Sequence, residues 1–482
     1  MVSSNANGDN AVLPLIINNE SVVTENTFEV HNPATGELVH YCAGASVEEA
    51  TRAVAAAKAA FPAWSKTHAY ERRAVLSKAA DVMLSRKEEL IQYQIEETGA
   101  GRPFVEKTFM GSVAFIRDFA GMIPTVEAKS PIVSGEESSA LVVKQPYGVV
   151  LGIAPWNAPF ILGTRAVALP LAAGNTTILK GSELSPKCFW AIGDVFREAG
   201  LPAGCLNVIY HRTSDAAAVT NALIAHPDVR KISFTGSTNV GSIIASTAGK
   251  YIKPVLLELG GKASAIVLDD ADLDKAAMGC ALGAFLHSGQ ICMSTERIVV
   301  HRSIAEKFQK LLVETAENVF GKNAPAPVLV ASAAVKKNKD LVADAMSKGA
   351  SIVFGDPKNS ESCANSLRPV IVEGVTKEMD LYATESFGPT VSLIVVDSEE
   401  EAIELANDTE YGLTSAVFTT NLFRGLRVAK QIESGAVHIN SMTVHDEPTL
   451  PHGGWKSSGF GRFGGTAGYD EWLQTKTITW VE

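Results

Sequence analysis

From Tyr147 onward, short apolar runs alternate with longer amphipathic stretches. GVVLGIA, TTILK, LNVIY, KISFT and VLLEL follow one another, separated by helical patterns over 160–173, 186–199, 214–225 and 238–250. Strand–helix alternation at this spacing predicts a parallel sheet with crossover helices. Ligands of such sheets bind beyond the carboxyl ends of the strands. Three groups stand there: Pro155-Trp156-Asn157 after the first run, Lys180 ending the second, and Thr235-Gly236-Ser237 after the fourth.

A second α/β region is expected from about 263 to about 440. Residues 1–40 read as a short β-rich arm, turning at Asn32-Pro33-Ala34-Thr35-Gly36. Ser46 and Glu49 form a capping-box pattern that opens an Ala-rich helix to about residue 60. A second helix is expected over 70–97, with Leu76, Ala79, Ala80, Met83 and Leu84 on its apolar face and a stop at Gly99. The tail over 476–480 reads as a terminal strand, and Val142 and Val143 belong to a second projecting strand. Isolated strands need partners, so both are expected to pair within an oligomer.

A chain of 482 residues predicts two or three domains, and its 46% hydrophobic content is enough to fill their cores. With 42 Lys and Arg against 53 Asp and Glu, the net charge is −11 and no long basic run occurs. That balance argues against nucleic acid or an anionic membrane as the main partner. It does not bar a dinucleotide, whose pyrophosphate is held by backbone N–H groups at a helix N-terminus. Residues 1–10 lack the basic and apolar segments of a signal peptide, and the longest apolar stretch, 276–286, falls short of a membrane span. The six cysteines (Cys42, Cys188, Cys205, Cys280, Cys292, Cys363) have neither metal-ligand spacing nor disulfide density. A reduced, cytoplasmic location without a metal is therefore expected.

Candidate chemistry clusters at the strand ends. Phe234-Thr-Gly-Ser-Thr-Asn-Val-Gly241 places Gly-x4-Gly at a strand-to-helix junction, where Gly236 allows the turn and Ser237 can reach a phosphate. An ordinary βα loop has the same look. Lys180 and Glu183 supply a cation and a carboxylate for ribose hydroxyls, or simply cap a helix. Cys292 has polar, Gly-containing flanks, whereas Cys280 has the surroundings of a packed helix, so Cys292 is the candidate nucleophile. Glu258, before a diglycine, is either a solvated strand-end residue or a general base of raised pKa. Asn157, on a rigid loop between prolines, can donate to an oxyanion or serve only as a turn residue.

Together these segments resemble the aldehyde dehydrogenase superfamily over essentially the whole chain. The resemblance is carried by Pro155-Trp-Asn157, Lys180-x-Ser-Glu183, Phe234-Thr-Gly-Ser-Thr238, Glu258-Leu-Gly-Gly261, Gly289-Gln-x-Cys292, Glu385-Ser-Phe-Gly-Pro389, and Pro451-His-Gly-Gly454 with Ser458-Gly459. It implies two parallel-sheet α/β domains and a small β oligomerisation arm. The implied NAD-binding domain comprises 1–127 and 147–257, the catalytic domain 258–440, the arm 128–146 and 470–482, and a return segment 441–469 completes the site. It also implies Cys292 as nucleophile, Glu258 as the base for the hydrolytic water, and Asn157 with the Cys292 N–H as oxyanion hole. Lys180 and Glu183 would hold the adenosine ribose, Ser237 the pyrophosphate, and Glu385 and Phe387 the nicotinamide ribose and ring. Ile153, Pro155, Trp156, Ser182, Phe234, Gly236, Gly241, Leu259 and Gly260 complete the implied cofactor set.

The stretches 155–165 and 289–297 look like the branch that oxidises aromatic aldehydes such as salicylaldehyde, vanillin and benzaldehyde. Ala158 stands where many members carry an aromatic residue, which leaves room for a flat ring. Leu162, Arg165, Ile291, Met293 and His452 are the other substrate candidates, and His452, where Phe is usual, favours a polar ring substituent. Gly181 replaces the usual Pro or Ala and is expected to loosen its loop. A carboxylate at Glu183 favours NAD, with NADP admitted if that loop swings aside. The partners implied are a small aldehyde and further copies of the chain, as a homodimer or homotetramer. Aliphatic aldehydes or semialdehydes are the alternative substrates, and a non-catalytic binding relative is the alternative class.

Overall fold

The computed structural model describes residues 12–135, 137–358 and 363–481. The reading of residues 1–10 as no leader peptide lies outside them. All five apolar runs become neighbouring parallel strands, in the order Leu206–Ile209, Thr176–Lys180, Val149–Ile153, Val229–Thr235, Val255–Glu258. The sequence order reverses between Val149–Ile153 and Val229–Thr235. Crevices of doubly wound sheets open at such a reversal, and the loops carrying Asn157 and Ser237 both leave from it.

Two antiparallel segments correct the reading of residues 1–40 as an arm. Leu15–Ile17 and Glu20–Val22 extend one edge of this sheet, Ile16 pairing with Val208. Only Thr27–His31 and Leu38–Ala43 form a separate hairpin around the expected turn. At the other edge Gly459–Phe460 adds an antiparallel strand to Val255–Glu258.

The second sheet has the order Ser351–Phe354, Val370–Glu373, Thr390–Val396, Thr295–His301, Ala263–Val267, Thr414–Phe418, Ala436–Ile439. All its pairs are parallel except the first. Glu258 ends the first sheet and Ala263 begins the second, paired with Thr295. The register therefore brings the loop before Thr295, which carries Cys292, alongside Gly261. A Cβ on Gly261 would run into the Cys292 carbonyl.

The expected 70–97 helix is two helices, Ala69–Ser85 and Lys87–Thr98, because Arg86 leaves helical geometry at φ −101°, ψ 18°. Its guanidinium is bound by Glu89 and Asp194, so tertiary contact sets the break. Gly99 ends the second helix at φ 68°, as its lack of a Cβ permits. Ser138–Pro146 and Leu473–Val481 pair antiparallel with each other along their whole length. That corrects the expectation that each needs another chain to be paired. Exposed Ile478, Trp480 and Val481 lie on this two-stranded ribbon.

The helix Pro159–Ala172 is buried all round except at Ile161. An apolar helix of this kind belongs inside a core, so the one charge it carries, Arg165, must find partners there.

The capping box forms as its pattern requires. Ser46 accepts from the Glu48 N–H at 3.0 Å, and Glu49 accepts from the Ser46 N–H at 2.8 Å. Ser46→Ala should lower stability by about 1 kcal/mol in urea unfolding. An unchanged midpoint would mean that Glu49 alone holds this helix start.

Candidate active site

Cys292 sits partly exposed on a loop of unusual backbone. His287, Ser288 and Gly289 precede it with φ of 49°, 56° and 71°. Gly289 is pressed on the Gly388 carbonyl, where a Cβ would collide, so the thiol loop packs directly on the segment holding Phe387. Such strain persists where surroundings over-determine it. Here Gln290 pins the loop, donating to Val328 O at 3.2 Å and accepting from Val330 N at 2.9 Å.

The thiol donates to Glu258 Oε1 at 2.9 Å. Burial and the Glu258 carboxylate push the Cys292 thiol well above its ordinary range. Glu258 Oε2 accepts from Arg165 Nη2 at 2.8 Å, and Arg165 Nη1 reaches Asp446 Oδ2 at 3.0 Å. His452 Nε2 lies 3.6 Å from Glu258 Oε1, beyond hydrogen-bond reach. Burial pushes Glu258 up, but the Arg165 guanidinium, His452 and the Cys292 thiol together outweigh it and hold the carboxyl at about 2. Of the two sequence readings, a solvated strand-end residue or a base of raised pKa, neither holds: Glu258 is buried, and the cation facing it lowers its pKa.

Asn157 Nδ2 donates to the Gln290 carbonyl at 3.0 Å, which fixes the amide and leaves its second N–H. The Cys292 N–H has no acceptor among the described residues. Asn157 and Cys292 line the same cavity walls.

Two cavities meet at Asn157, Leu162, Glu258 and Cys292, one of about 360 Å³ and one of about 280 Å³. All six substrate candidates (Ala158, Leu162, Arg165, Ile291, Met293, His452) line the larger. Arg165, however, spends its guanidinium on Glu258 and Asp446. Eight of the cofactor candidates line the smaller: Pro155, Trp156, Gly236, Ser237, Leu259 and Gly260, with Glu385 and Phe387 facing them. Ile153, Phe234 and Gly241 are buried behind it, and Lys180, Ser182 and Glu183 lie on the neighbouring strand end.

A dinucleotide fits this side. Ser237 caps the helix Thr238–Lys250 without a side-chain cap bond, which leaves its hydroxyl and the first helical N–H groups for a phosphate. The Lys180 ammonium makes no hydrogen bond among the described residues, and burial lowers its pKa against the pull of Glu183. Glu385 accepts from Gly261 N at 2.8 Å, and burial raises it to about 7. The Phe387 ring stands edge-on to Trp156, centroids 6.1 Å apart. Gly181 does not loosen its loop, which corrects that expectation. The Phe189 ring occupies the place of a Cβ, and the Gly181 N–H is bonded to Ile209 O at 2.9 Å.

The model of the aldehyde dehydrogenase family matches residues 21–478. The chain belongs to the aldehyde dehydrogenase family. It is accordingly an oxidoreductase acting on aldehydes. It is 44% identical over 474 residues to a vanillin dehydrogenase of Pseudomonas fluorescens, covering 97% of each chain. Its fold matches a crystal structure of a salicylaldehyde dehydrogenase from Pseudomonas putida G7, complexed with salicylaldehyde, at TM-score 0.94 and 38% identity. The match covers 97% of this chain and 98% of that one. A betaine aldehyde dehydrogenase from Staphylococcus aureus in complex with NAD+ matches at TM-score 0.92 and 29% identity, over 97% and 94% of the two chains.

Sequence reasoning missed several residues of this aldehyde dehydrogenase site. Asp446 and Lys337 reach the cavities from segments that carry no motif. Glu296 lies four residues past the cysteine, yet its role is tertiary. Its Oε1 accepts from Ser386 N at 2.9 Å, Ser386 Oγ at 2.8 Å and Phe387 N at 3.1 Å, and its Oε2 from Lys262 Nζ at 2.7 Å. This buried carboxylate holds Phe387 at its left-handed φ of 46°. Among the described residues no group of His, Cys, Asp and Glu is disposed to hold a metal.

Glu296→Leu should cost about 3–5 kcal/mol in chemical unfolding, because Lys262 is left buried and unpaired. The double variant Glu296→Leu, Lys262→Met should recover most of that loss. Equal instability of both variants would show that the hydrogen bonds to the Phe387 segment, not the stranded charge, dominate.

Proposed function

We propose that the chain oxidises an aromatic aldehyde to its carboxylic acid, with a nicotinamide cofactor and NAD preferred. The observation that carries this reading is the meeting of two differently lined cavities at one thiol. Ala158, at the start of its helix, puts only a methyl group into the wall of the larger cavity. Relatives named for vanillin and salicylaldehyde support the ring-bearing substrate. Relatives solved with NAD+, beside one titled NADP-dependent, support the cofactor class. The Glu183 carboxylate supports NAD, since it hydrogen-bonds a ribose 2′-OH and repels a phosphate there.

In this reading the sheet of 149–258 serves the dinucleotide, and that of 263–439 carries the nucleophile. Among the described residues no helix is long and apolar enough to cross a membrane. We assign the chain to the cytoplasm as a homodimer or homotetramer, with the ribbon of 138–146 and 473–481 as its assembly element.

Cys292 gives up its proton to solvent, and the thiolate adds to the aldehyde carbon. The second Asn157 N–H and the Cys292 N–H receive the new oxyanion, without the reorganisation that water would need. The dinucleotide, when bound, supplies the acceptor for the hydride that leaves this carbon. Glu385 and the Phe387–Trp156 pair shape the place for it beside Cys292. Glu258 then takes a proton from water, which attacks the thioester and frees the acid.

The test is growth of the reduced-nicotinamide absorbance with NAD or NADP. The panel pairs benzaldehyde, salicylaldehyde and vanillin with acetaldehyde, hexanal and succinic semialdehyde. Aromatic aldehydes with NAD should lead in kcat/KM. A lead by the aliphatic group would sink the aromatic reading and keep the family, whereas no turnover with any pair would favour a non-catalytic relative. Glu258→Gln should keep the first burst of reduced cofactor while steady turnover falls about a hundredfold or more. Loss of the burst as well would move Glu258 to the first step alone.

A further inference from the structure

Arg165 is a buried cation shared by two carboxylates. Its Nη2 pairs with Glu258 at 2.8 Å and its Nη1 with Asp446 at 3.0 Å, with side chains 2%, 0% and 10% exposed. The Phe463 ring lies under the guanidinium at 4.2 Å, which fixes its plane. Asp446 keeps Oδ1 without a hydrogen bond, and Arg165 keeps Nε likewise, so neither is saturated by this pairing. The groups facing Glu258 are Arg165 from the helix Pro159–Ala172, Cys292 from the loop before Thr295–His301, and His452 from the return segment, with Asp446 behind Arg165.

A buried arginine whose only partner was the base would hold that base as an anion throughout. Hydrolysis of the thioester needs the same carboxylate to become neutral for a time, which would strand the cation. We infer that Arg165 is a positioning residue that holds Glu258 toward the thiol and rests on Asp446 when Glu258 takes a proton. This rests on the reading of Glu258 as base given above.

The proton balance is closed within the site. A water O–H bond breaks, its proton goes to Glu258, and the hydroxide adds to the thioester carbonyl carbon. The C–S bond then breaks, the acid leaves, and Glu258 returns its proton to the Cys292 thiolate. Arg165 keeps its proton throughout, and Asp446 supplies the countercharge while Glu258 is neutral.

Burial raises Glu258, while Arg165, His452 and the Cys292 thiol lower it, Arg165 most, so removing the cation takes away the largest influence that opposes burial. Activity that needs the anion is present above its pKa and lost as pH falls through it. The experiment measures two pH profiles, thioester hydrolysis after the burst and alkylation of Cys292 by iodoacetamide without dinucleotide. Arg165→Met should move the acid limb of both upward by about two pH units or more. Arg165→Lys should restore most of the shift, and Arg165→Met with Asp446→Asn should move the limb partly back down. If Arg165→Met does not fold, Asp446→Asn alone suffices, and hydrolysis should slow about tenfold with the burst intact.

Profiles that stay in place while only kcat or KM changes would overturn the inference, as would unchanged hydrolysis in Asp446→Asn. Glu258→Gln is run beside them. If it hydrolyses thioester normally, the assignment of the base has failed. If it is defective while the Arg165 profiles stay still, only the role of Arg165 has.

Discussion

Between Glu258, the last residue of one parallel sheet, and Ala263, the first of the other, the chain has only Leu259-Gly-Gly-Lys262 in which to change sheets. That short passage ties the carboxyl end of one sheet to the start of the other. Every group of the site depends on it. Glu258 is held immediately before it, Gly261 gives its N–H to Glu385, and Lys262 anchors Glu296. The parallel register of Ala263 with Thr295 then sets the cysteine loop against the passage. A side chain at Gly261 would push that loop away, so the diglycine serves approach between backbones before it serves any ligand.

Charge is concentrated around this passage in a way a stability argument alone does not explain. Arg165 with Glu258, and Lys262 with Glu296, are ion pairs whose four side chains are nearly or wholly excluded from water. Desolvation offsets much of the attraction in such pairs, and apolar residues of similar volume commonly do as well. What the pairs supply is direction. Glu296 presents one oxygen to three donors of the Ser386–Phe387 segment and so shapes the wall of the smaller cavity. Arg165 turns Glu258 toward the thiol and lowers its affinity for a proton. Both tasks need a charge with fixed geometry, which a methyl or phenyl group does not have.

The two cavities differ because the sheets differ in what they place at their ends. Strand ends and a helix N-terminus make the dinucleotide side, with free N–H groups and the Ser237 hydroxyl. Two helices and the return segment make the larger side, with Ala158, Leu162 and Ile291 as its apolar wall. Cys292 is partly exposed because it lies where these volumes join. Cys42, Cys188, Cys205 and Cys280 are buried in the packing, and burial raises their thiols.

The five strands from Val149 to Glu258 and the helices between them were legible from the sequence, because apolar runs and their spacing are local and recur through the chain. The helix starting after Ser46 was legible for the same reason, its cap being made within four residues. Cys292, Glu258 and Asn157 stood out because each breaks a local rule, a polar group beside glycine or proline at a strand end. The break at Arg86, the joining of Leu15–Ile17 to the main sheet and the pairing of the two projecting strands were not legible. Each is decided by a partner more than a hundred residues away. The same holds for the proton affinity of Glu258. A strand-end glutamate before a diglycine is visible in the chain, but the guanidinium that pairs with it comes from Arg165, on the helix Pro159–Ala172. Periodicity and local chemistry therefore determined the elements and named the candidate reacting residues. Only the tertiary structure decided which charges face one another, because Coulomb energy depends on distance through space and on burial, and neither is written along the chain.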